Sequence, residues 1–272
     1  MKKGIVIALI VLLLGVFCFS GWKLSGTLLE YREGVKTYEE MDQFVSVPET
    51  TKPKRFPSLF REPEATESQE EVQPTEPQET ILWPEVDFAA LREVNDDVVG
   101  WIYIPDTKVN YPVVQGKDDK QYLYRLINGK RNSSGSIFLD ANVEADFTEQ
   151  NSPIYGHNMK NGTMFAATTG YKNQEFYDEH PIALLLTPEK NYVVRLFSGY
   201  VTDAWSDAWE TDMSEEKYQK WLDARIQKSC FTADVVPTTE DCVLTLSTCT
   251  YETADGRFVV HGILEEYKTA AE

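Results

Sequence analysis

The chain has 272 residues, with 26 basic and 44 acidic side chains and a formal charge of −18. That balance excludes a nucleic-acid binder, which needs a basic footprint to neutralise phosphates. It also excludes electrostatic docking onto an anionic membrane surface. With 42% hydrophobic and 12% aromatic residues the chain can bury a core, so wholesale disorder is excluded. Four cysteines and three histidines are too few for a disulfide scaffold, a Cys-rich zinc site or a multi-histidine metal centre. No metal or other cofactor is expected.

Residues 4–22 carry no charge. At about 1.5 Å per residue they reach roughly 28 Å as a helix, close to the hydrocarbon thickness of a bilayer. Lys2 and Lys3 precede them, so the positive-inside rule places the N-terminus in the cytoplasm and everything after Lys23 outside. The segment Cys18-Phe19-Ser20-Gly21-Trp22 is a poor cleavage site, and residues 1–23 are read as an uncleaved, single-pass signal anchor. Residues 24–45 follow as a stalk helix, with Leu28, Tyr31, Val35 and Tyr38 recurring at three- and four-residue spacing. Residues 46–84 hold seven of the thirteen prolines among many glutamates, threonines and glutamines. Such a composition cannot build a packed core and reads as an extended, solvated spacer giving reach from the membrane.

A globular domain is expected over residues 85–272. It opens with a short helix at 87–95, with Asp87 as its N-cap. Eight β-like runs follow at 99–104, 109–114, 135–139, 152–155, 182–186, 192–201, 242–249 and 257–265, punctuated by turn residues. Eight short strands in some 180 residues point to a mainly β domain, a barrel or a sandwich. One helix interrupts them at 214–228. Ser214 is its cap, and Tyr218, Trp221, Leu222 and Ile226 form one apolar stripe.

Three residues carry chemistry at strand edges. Cys249 closes the apolar run Thr245-Leu246-Ser247-Thr248-Cys249 just before a polar loop. His157 lies in the Gly- and Asn-containing turn Tyr155-Gly156-His157-Asn158 that ends another strand. Arg257 opens the strand after the cysteine loop, so a hairpin would bring it near Cys249. A thiolate, a proton-transferring imidazole and a guanidinium that stabilises an oxyanion together suit acyl transfer. A papain-like arrangement would place the cysteine early, at a helix start, with the histidine after it; here the order is reversed.

The other candidates are weaker. His180 is expected in a surface turn. His261 lies four residues after Arg257, on the same strand face, and is expected to pack in the sheet. Asp118-Asp119 matches no calcium-loop spacing and is expected to be a solvated loop. Cys242 and Cys249 lie in one strand, roughly 23 Å apart and beyond disulfide reach. A Cys230–Cys242 bridge and a pair of buried free thiols both stay open.

With these segments together, the sequence resembles a class B sortase, a cysteine transpeptidase of Gram-positive cell surfaces. The run 245–249 matches the TLxTC signature, Tyr155 to Asn158 the histidine segment, and Gly256 to Val260 the arginine segment, in the family's order. Residues 87–125 also look like the class B amino-terminal part, and the helix at 214–228 like the class B insertion. The resemblance covers about residues 87–267 plus the anchor. It implies an eight-stranded sortase-type β-barrel with flanking helices. It also implies Cys249 as nucleophile, His157 as general acid/base and Arg257 as oxyanion or substrate-positioning group, with Ser247 and Thr248 lining a substrate groove. Thr250 stands where several class B members have an acidic residue, so no carboxylate role is carried over to that position. The implied partners are surface proteins bearing a C-terminal sorting motif and a peptidoglycan-precursor amine of the lipid II type. The implied reaction cleaves the motif after threonine through a thioacyl enzyme. A pilin-polymerising sortase and an inactive peptide-binding module are the alternatives. Specificity is expected in residues 192–209 and in the 214–228 helix.

Overall fold

The computed structural model describes residues 2–48 and 83–267. Leu, Ile and Val dominate the N-terminal run, which contains no proline, and the first helix, α1, continues through it without interruption from Lys2 to Met41. Its first half presents apolar side chains on every side, with Leu13, Phe17 and Trp22 all more than 60% exposed, so no protein surface covers it. It is the one helix among the described residues long and apolar enough to cross a membrane.

The second half of α1 lies against the globular body. Gly34, Thr37, Tyr38 and Met41 are buried there, and a 3-10 turn at Asp42–Phe44 ends the run. Two residues, β1 (Val45–Ser46), then pair with β2 (Glu85–Val86). Most of the expected spacer, residues 49–82, lies outside the described residues. Its flanks meet at one ladder, Ser46 opposite Glu85.

Asp87 caps α2 (Phe88–Val94) by accepting from the Ala90 amide at 3.0 Å. The strands then run β3 (Val98–Tyr103), β4 (Asn110–Gln115), β5 (Ile137–Leu139), β6 (Asn151–Tyr155), β7 (Ile182–Leu186), β8 (Asn191–Asp203), β9 (Val243–Cys249) and β10 (Gly256–Glu266). They close into a barrel in the order β10-β8-β7-β3-β4-β5-β6-β9. Six of the eight pairings are antiparallel; β4–β5 and β6–β9 are parallel. A parallel pair needs a long crossover, and residues 116–136 supply the one between β4 and β5. Closure leaves the barrel without free edges.

The core is made by the inward residues of these strands, among them Trp101, Val113, Leu185, Leu196, Leu246 and Val260, all essentially inaccessible to solvent. Two elements did not register in the hydrophobic pattern: a 3-10 run at Phe165–Lys172 and the short α3 (Gln174–Glu179). The last helix, α4 (Glu215–Lys228), is capped by Ser214 and packs through Tyr218, Trp221 and Leu222. The fourth position of that stripe is Arg225, which is fully buried, while Ile226 faces outward at 38% exposure. Helical geometry explains the exchange, since 218, 221, 222 and 225 share one face.

Candidate active site

The site is built on three adjacent strands. Cys249 is the last residue of β9 and is partly exposed, while the six residues before it are buried. In the antiparallel β9–β10 ladder Arg257 stands directly opposite Cys249, which places their Cβ atoms about 5 Å apart. The intervening loop is pulled tight by the Thr250 amide donating to Gly256 O at 3.0 Å. Arg257 donates to Gly256 O at 3.1 Å. Among the described residues no carboxylate lies within ion-pairing distance of its guanidinium.

The parallel β6–β9 pairing brings the histidine segment to the same end of the barrel. Tyr155 pairs with Ser247, and the Gly156 amide donates to Ser247 O at 3.0 Å. Thr248 Oγ1 donates back to Gly156 O at 2.7 Å, and Asn158 Nδ2 donates to Cys249 O at 2.9 Å. Residues 155–158 thus run stitched along 247–249. Gly156 has to be small, because a Cβ there would sit 2.5 Å from Ile137 Cδ1 and 2.7 Å from the Phe165 ring.

His157 Nε2 lies 2.6 Å from Leu123 O. A carbonyl only accepts, so Nε2 carries a proton and, in the neutral ring, Nδ1 is the acceptor. The Tyr124 ring lies tilted beside the imidazole, 5.5 Å between centroids.

These residues line one groove of about 330 Å³. Cys249, His157, Arg257, Ser247 and Thr248 all contribute to its wall, so the five sequence-derived residues converge in space. The wall also holds Asp119, Leu123, Phe138, Tyr155 and Gly156, to which sequence reasoning gave no groove role, and Ala204 and Trp209, which fall in the 192–209 stretch expected to set specificity. Asp119 was expected in a solvated loop. Among the described residues it is instead the one carboxylate of the groove wall, with Ala141 N donating to it at 2.9 Å, and burial pushes its carboxyl above the usual range. Tyr155 donates to Asp140 Oδ2 at 2.8 Å, and burial beside that carboxylate holds its phenol protonated. No spacing rule distinguishes Asp119 from Asp118, which caps its own turn by accepting from Lys120 N and Gln121 N.

Trp209 belongs to the loop after β8, and that loop is fastened from behind. Asn151 Nδ2 donates to Ala208 O and Glu210 O, and Trp221 Nε1 donates to Asp207 O. Arg225 Nη2 lies 2.7 Å from Asp207 Oδ2. Burial raises the Asp207 carboxyl, but the hydrogen bond and charge of Arg225 outweigh it and leave it below the usual value.

The remaining candidates lie elsewhere. His261 is fully buried, within 2.8 Å of Thr245 Oγ1 and 3.3 Å of Tyr200 OH, as a packed strand histidine should be. His180 ends α3 with only 11% of its side chain exposed, against the Phe176 ring, rather than in a surface turn. Cys230 and Cys242 are free thiols, the first exposed and the second half-buried, so neither the bridge nor the buried pair describes them. Among the described residues no group of three or more His, Cys, Asp or Glu is placed to hold a metal.

The Sortase domain family model matches residues 102–265. A curated relative, Sortase B of Staphylococcus aureus, is 31% identical over 263 residues, covering 96% of this chain and 96% of that protein. Among solved structures, sortase B from B. anthracis superposes with a TM-score of 0.68 at 32% identity, covering 88% of this chain and 100% of that one. A Staphylococcus aureus sortase B–substrate complex gives 0.64 at 34% identity, covering 66% and 85%.

Proposed function

The chain belongs to the sortase family, as a transpeptidase of the sortase B kind, and from that premise we propose that Cys249, His157 and Arg257 are its catalytic residues. The observation that carries the proposal is the alignment of β6, β9 and β10, which brings all three residues into the lining of one groove. The substrate is a surface protein carrying a C-terminal sorting motif, cleaved after threonine. The Cys249 thiolate adds to the threonine carbonyl, and Arg257 stabilises the oxyanion. The C–N bond breaks as His157, carrying on Nδ1 the proton taken from the Cys249 thiol, gives that proton to the leaving amine, and a thioester remains. An acceptor amine then adds to the thioester, His157 takes a proton from it, the C–S bond breaks and the thiolate returns. The Leu123 carbonyl leaves Nδ1 as the ring nitrogen that exchanges the proton.

The acceptor is a peptidoglycan-precursor amine of the lipid II type. Ser247 and Thr248 shape the groove beside the thioester, and Asp119 and Trp209 stand on its walls. Residues 4–22 hold the enzyme in the membrane as a single span. Lys2 and Lys3 favour an N-terminus inside and a catalytic domain outside.

The test uses the full-length chain in detergent with a panel of quenched sorting peptides, plus triglycine or a lysine-bearing peptide as acceptor. Cleavage after threonine, an adduct with the acceptor, and loss of both in Cys249→Ala are expected. Full turnover in Cys249→Ala would sink the proposal. Preference for the lysine peptide over triglycine would instead favour pilin polymerisation. Binding without cleavage would favour an inactive module.

A further inference from the structure

We infer that the docked half of α1 is a positioning element for His157, acting chiefly through Tyr38; the inference rests on the catalytic role proposed for that histidine. Tyr38 is 7% exposed, and its connections reach His157 by two routes.

The first route leads to the partner of Nε2. Tyr38 OH donates to Gly135 O at 2.6 Å and lies 3.0 Å from Ser136 Oγ. Ser136 N donates to Tyr122 O at 3.0 Å, Asn132 N to Tyr124 O at 3.0 Å, and Ser136 Oγ to Arg125 O at 2.8 Å. These bonds bracket Leu123, whose carbonyl holds the imidazole. Gly135, at φ +57°, lies so close that a Cβ there would be 2.5 Å from Leu123 O. One helical face adds a second fastening on the same turn: Glu30 O accepts from Asn132 Nδ2 at 2.9 Å, and Glu30 Oε1 from Ser133 N at 2.7 Å.

The second route leads to the histidine's own backbone. The Tyr38 ring stands edge-on to Tyr111, 5.2 Å between centroids. Tyr111 OH accepts from Met164 N at 3.0 Å. Met164 has φ +58° and bridges to Asn158, the residue after His157, while the next amide, Phe165 N, donates to His157 O at 3.0 Å. Tyr38 thus supports both ends of the Leu123–His157 contact.

The physical consequence is specific. A carbonyl at 2.6 Å selects one tautomer and one ring orientation. If the turn at residues 132–136 relaxes, that carbonyl moves and the ring loses its selection, with the thiol and the arginine undisturbed on their own ladder. Because α1 is continuous with the apolar segment, the element that anchors the enzyme also sets its histidine. The eight residues from Trp22 to Glu30 span only about 12 Å of helix.

The test is made on the full-length chain in detergent micelles with 15N-labelled histidine. Two readouts are taken: the ring-nitrogen shifts of His157, assigned with His157→Gln, and the kinetics of peptide cleavage. Tyr38→Phe keeps the ring and removes the hydroxyl. It is expected to turn a single Nε2–H signature into a mixture and to lower kcat by roughly 10- to 100-fold, in line with the cost of small misplacements. KM should stay within about twofold, in line with an interaction that does not touch substrate. Glu30→Ala should shift both readouts in the same direction, and Glu30→Gln, which keeps the acceptor oxygen, should restore them. An unchanged tautomer signature and kcat in folded Tyr38→Phe would overturn the inference. Should that variant fail to fold, no difference between Glu30→Ala and Glu30→Gln would overturn it as well. Turnover retained in His157→Gln would instead overturn the catalytic reading, and the nitrogen shifts would still judge the role of Tyr38.

Discussion

The two flanks of the groove are built in different ways. Cys249 and Arg257 face each other across one hairpin, eight residues apart, and the strand ladder alone fixes their relation. His157 sits on the other flank, its side chain bonded to the carbonyl of a residue 34 positions away. That residue is held in turn by a helix whose Tyr38–Gly135 bond spans 97 positions. The flank of the proposed nucleophile is local and stiff; that of the proposed acid/base is assembled from distant pieces. Damage to the first should therefore remove chemistry outright, while damage to the second should detune it.

The largest effect is expected on the local flank. Arg257→Ala should lower kcat/KM by roughly 10²- to 10³-fold, the usual cost of losing one oxyanion donor. Thermal unfolding should barely move, because the side chain is partly exposed and has no ion-pair partner among the described residues. Arg257→Lys should recover only part of the activity, since a point charge cannot copy the planar fork. A loss below threefold in Arg257→Ala would make the residue a bystander of the hairpin. The comparison would then need another oxyanion donor.

The next effect strikes the assembled flank. Gly135→Ala forces a side chain into positive φ and against Leu123 O. It should cost about 1–3 kcal/mol of stability by backbone strain, and it should lower kcat more than it raises KM. Gly129, also at positive φ but with open space around its Cβ position, is the control. Gly129→Ala should cost about 1 kcal/mol or a little more and leave kcat alone. Equal kinetic effects from the two would show that generic strain, and not the Leu123 carbonyl, matters.

The same contrast decides what was legible beforehand. The eight strands could be read to within two residues at every end because alternation and turn residues are local signals. The Cys249–Arg257 relation followed because a hairpin is the simplest connection of two adjacent runs. What the letters could not carry is long-range. The parallel β4–β5 crossover turns residues 116–136 back over the groove and puts Asp119 and Leu123 on its wall. Composition marked Asp118-Asp119 as solvated, and only the crossover separates the two. The stalk reading of residues 24–45 identified the helix and its Tyr31, Val35 and Tyr38 stripe. The partner of that stripe, a turn 97 positions on, has no local signature. Arg225 was overlooked because a charge on an apolar face reads as an edge, whereas Asp207, Tyr200 and the Trp221 ring make a buried place for it.

A third prediction sets the two barrel histidines against each other. His157 lines the groove; His261 is enclosed by Phe197, Tyr200 and Trp221. Burial, with Arg225 and Lys228 nearby, holds the His261 ring well below the ordinary histidine value. Its folded pKa is lowered, so below about pH 6.5 the unfolded chain binds a proton that the folded chain refuses. The stability is full above that pH and is lost as pH falls, at about 1.4 kcal/mol per unit, until the folded value is reached. Urea unfolding at pH 7.5 and 5.5 measures the loss. His261→Gln should reduce it by up to that amount, and an equal loss in the variant would mean that His261 protonates in place.

The smallest effect concerns the two ends of β9, which carry the two thiols most easily confused. Cys242 immediately precedes the strand and Cys249 ends it, so the strand separates them by roughly 23 Å. Cys242 is half-buried and donates to Thr148 O at 3.3 Å. Burial pushes its thiol up, and the carboxylates of Asp241, Glu149 and Asp146 push it further. Cys230 is exposed, yet partial burial raises its thiol too, with Glu252 adding to the rise and Lys172 opposing it. Both should therefore stay protonated near pH 7.5 and alkylate slowly. Replacing both with serine should leave cleavage within about twofold, since neither lies on the groove wall and surface changes of this kind rarely exceed about 0.5 kcal/mol. A large loss of activity in the double variant would tie the far end of β9 to the chemistry. The nucleophile flank would then be no more local than the one that carries His157.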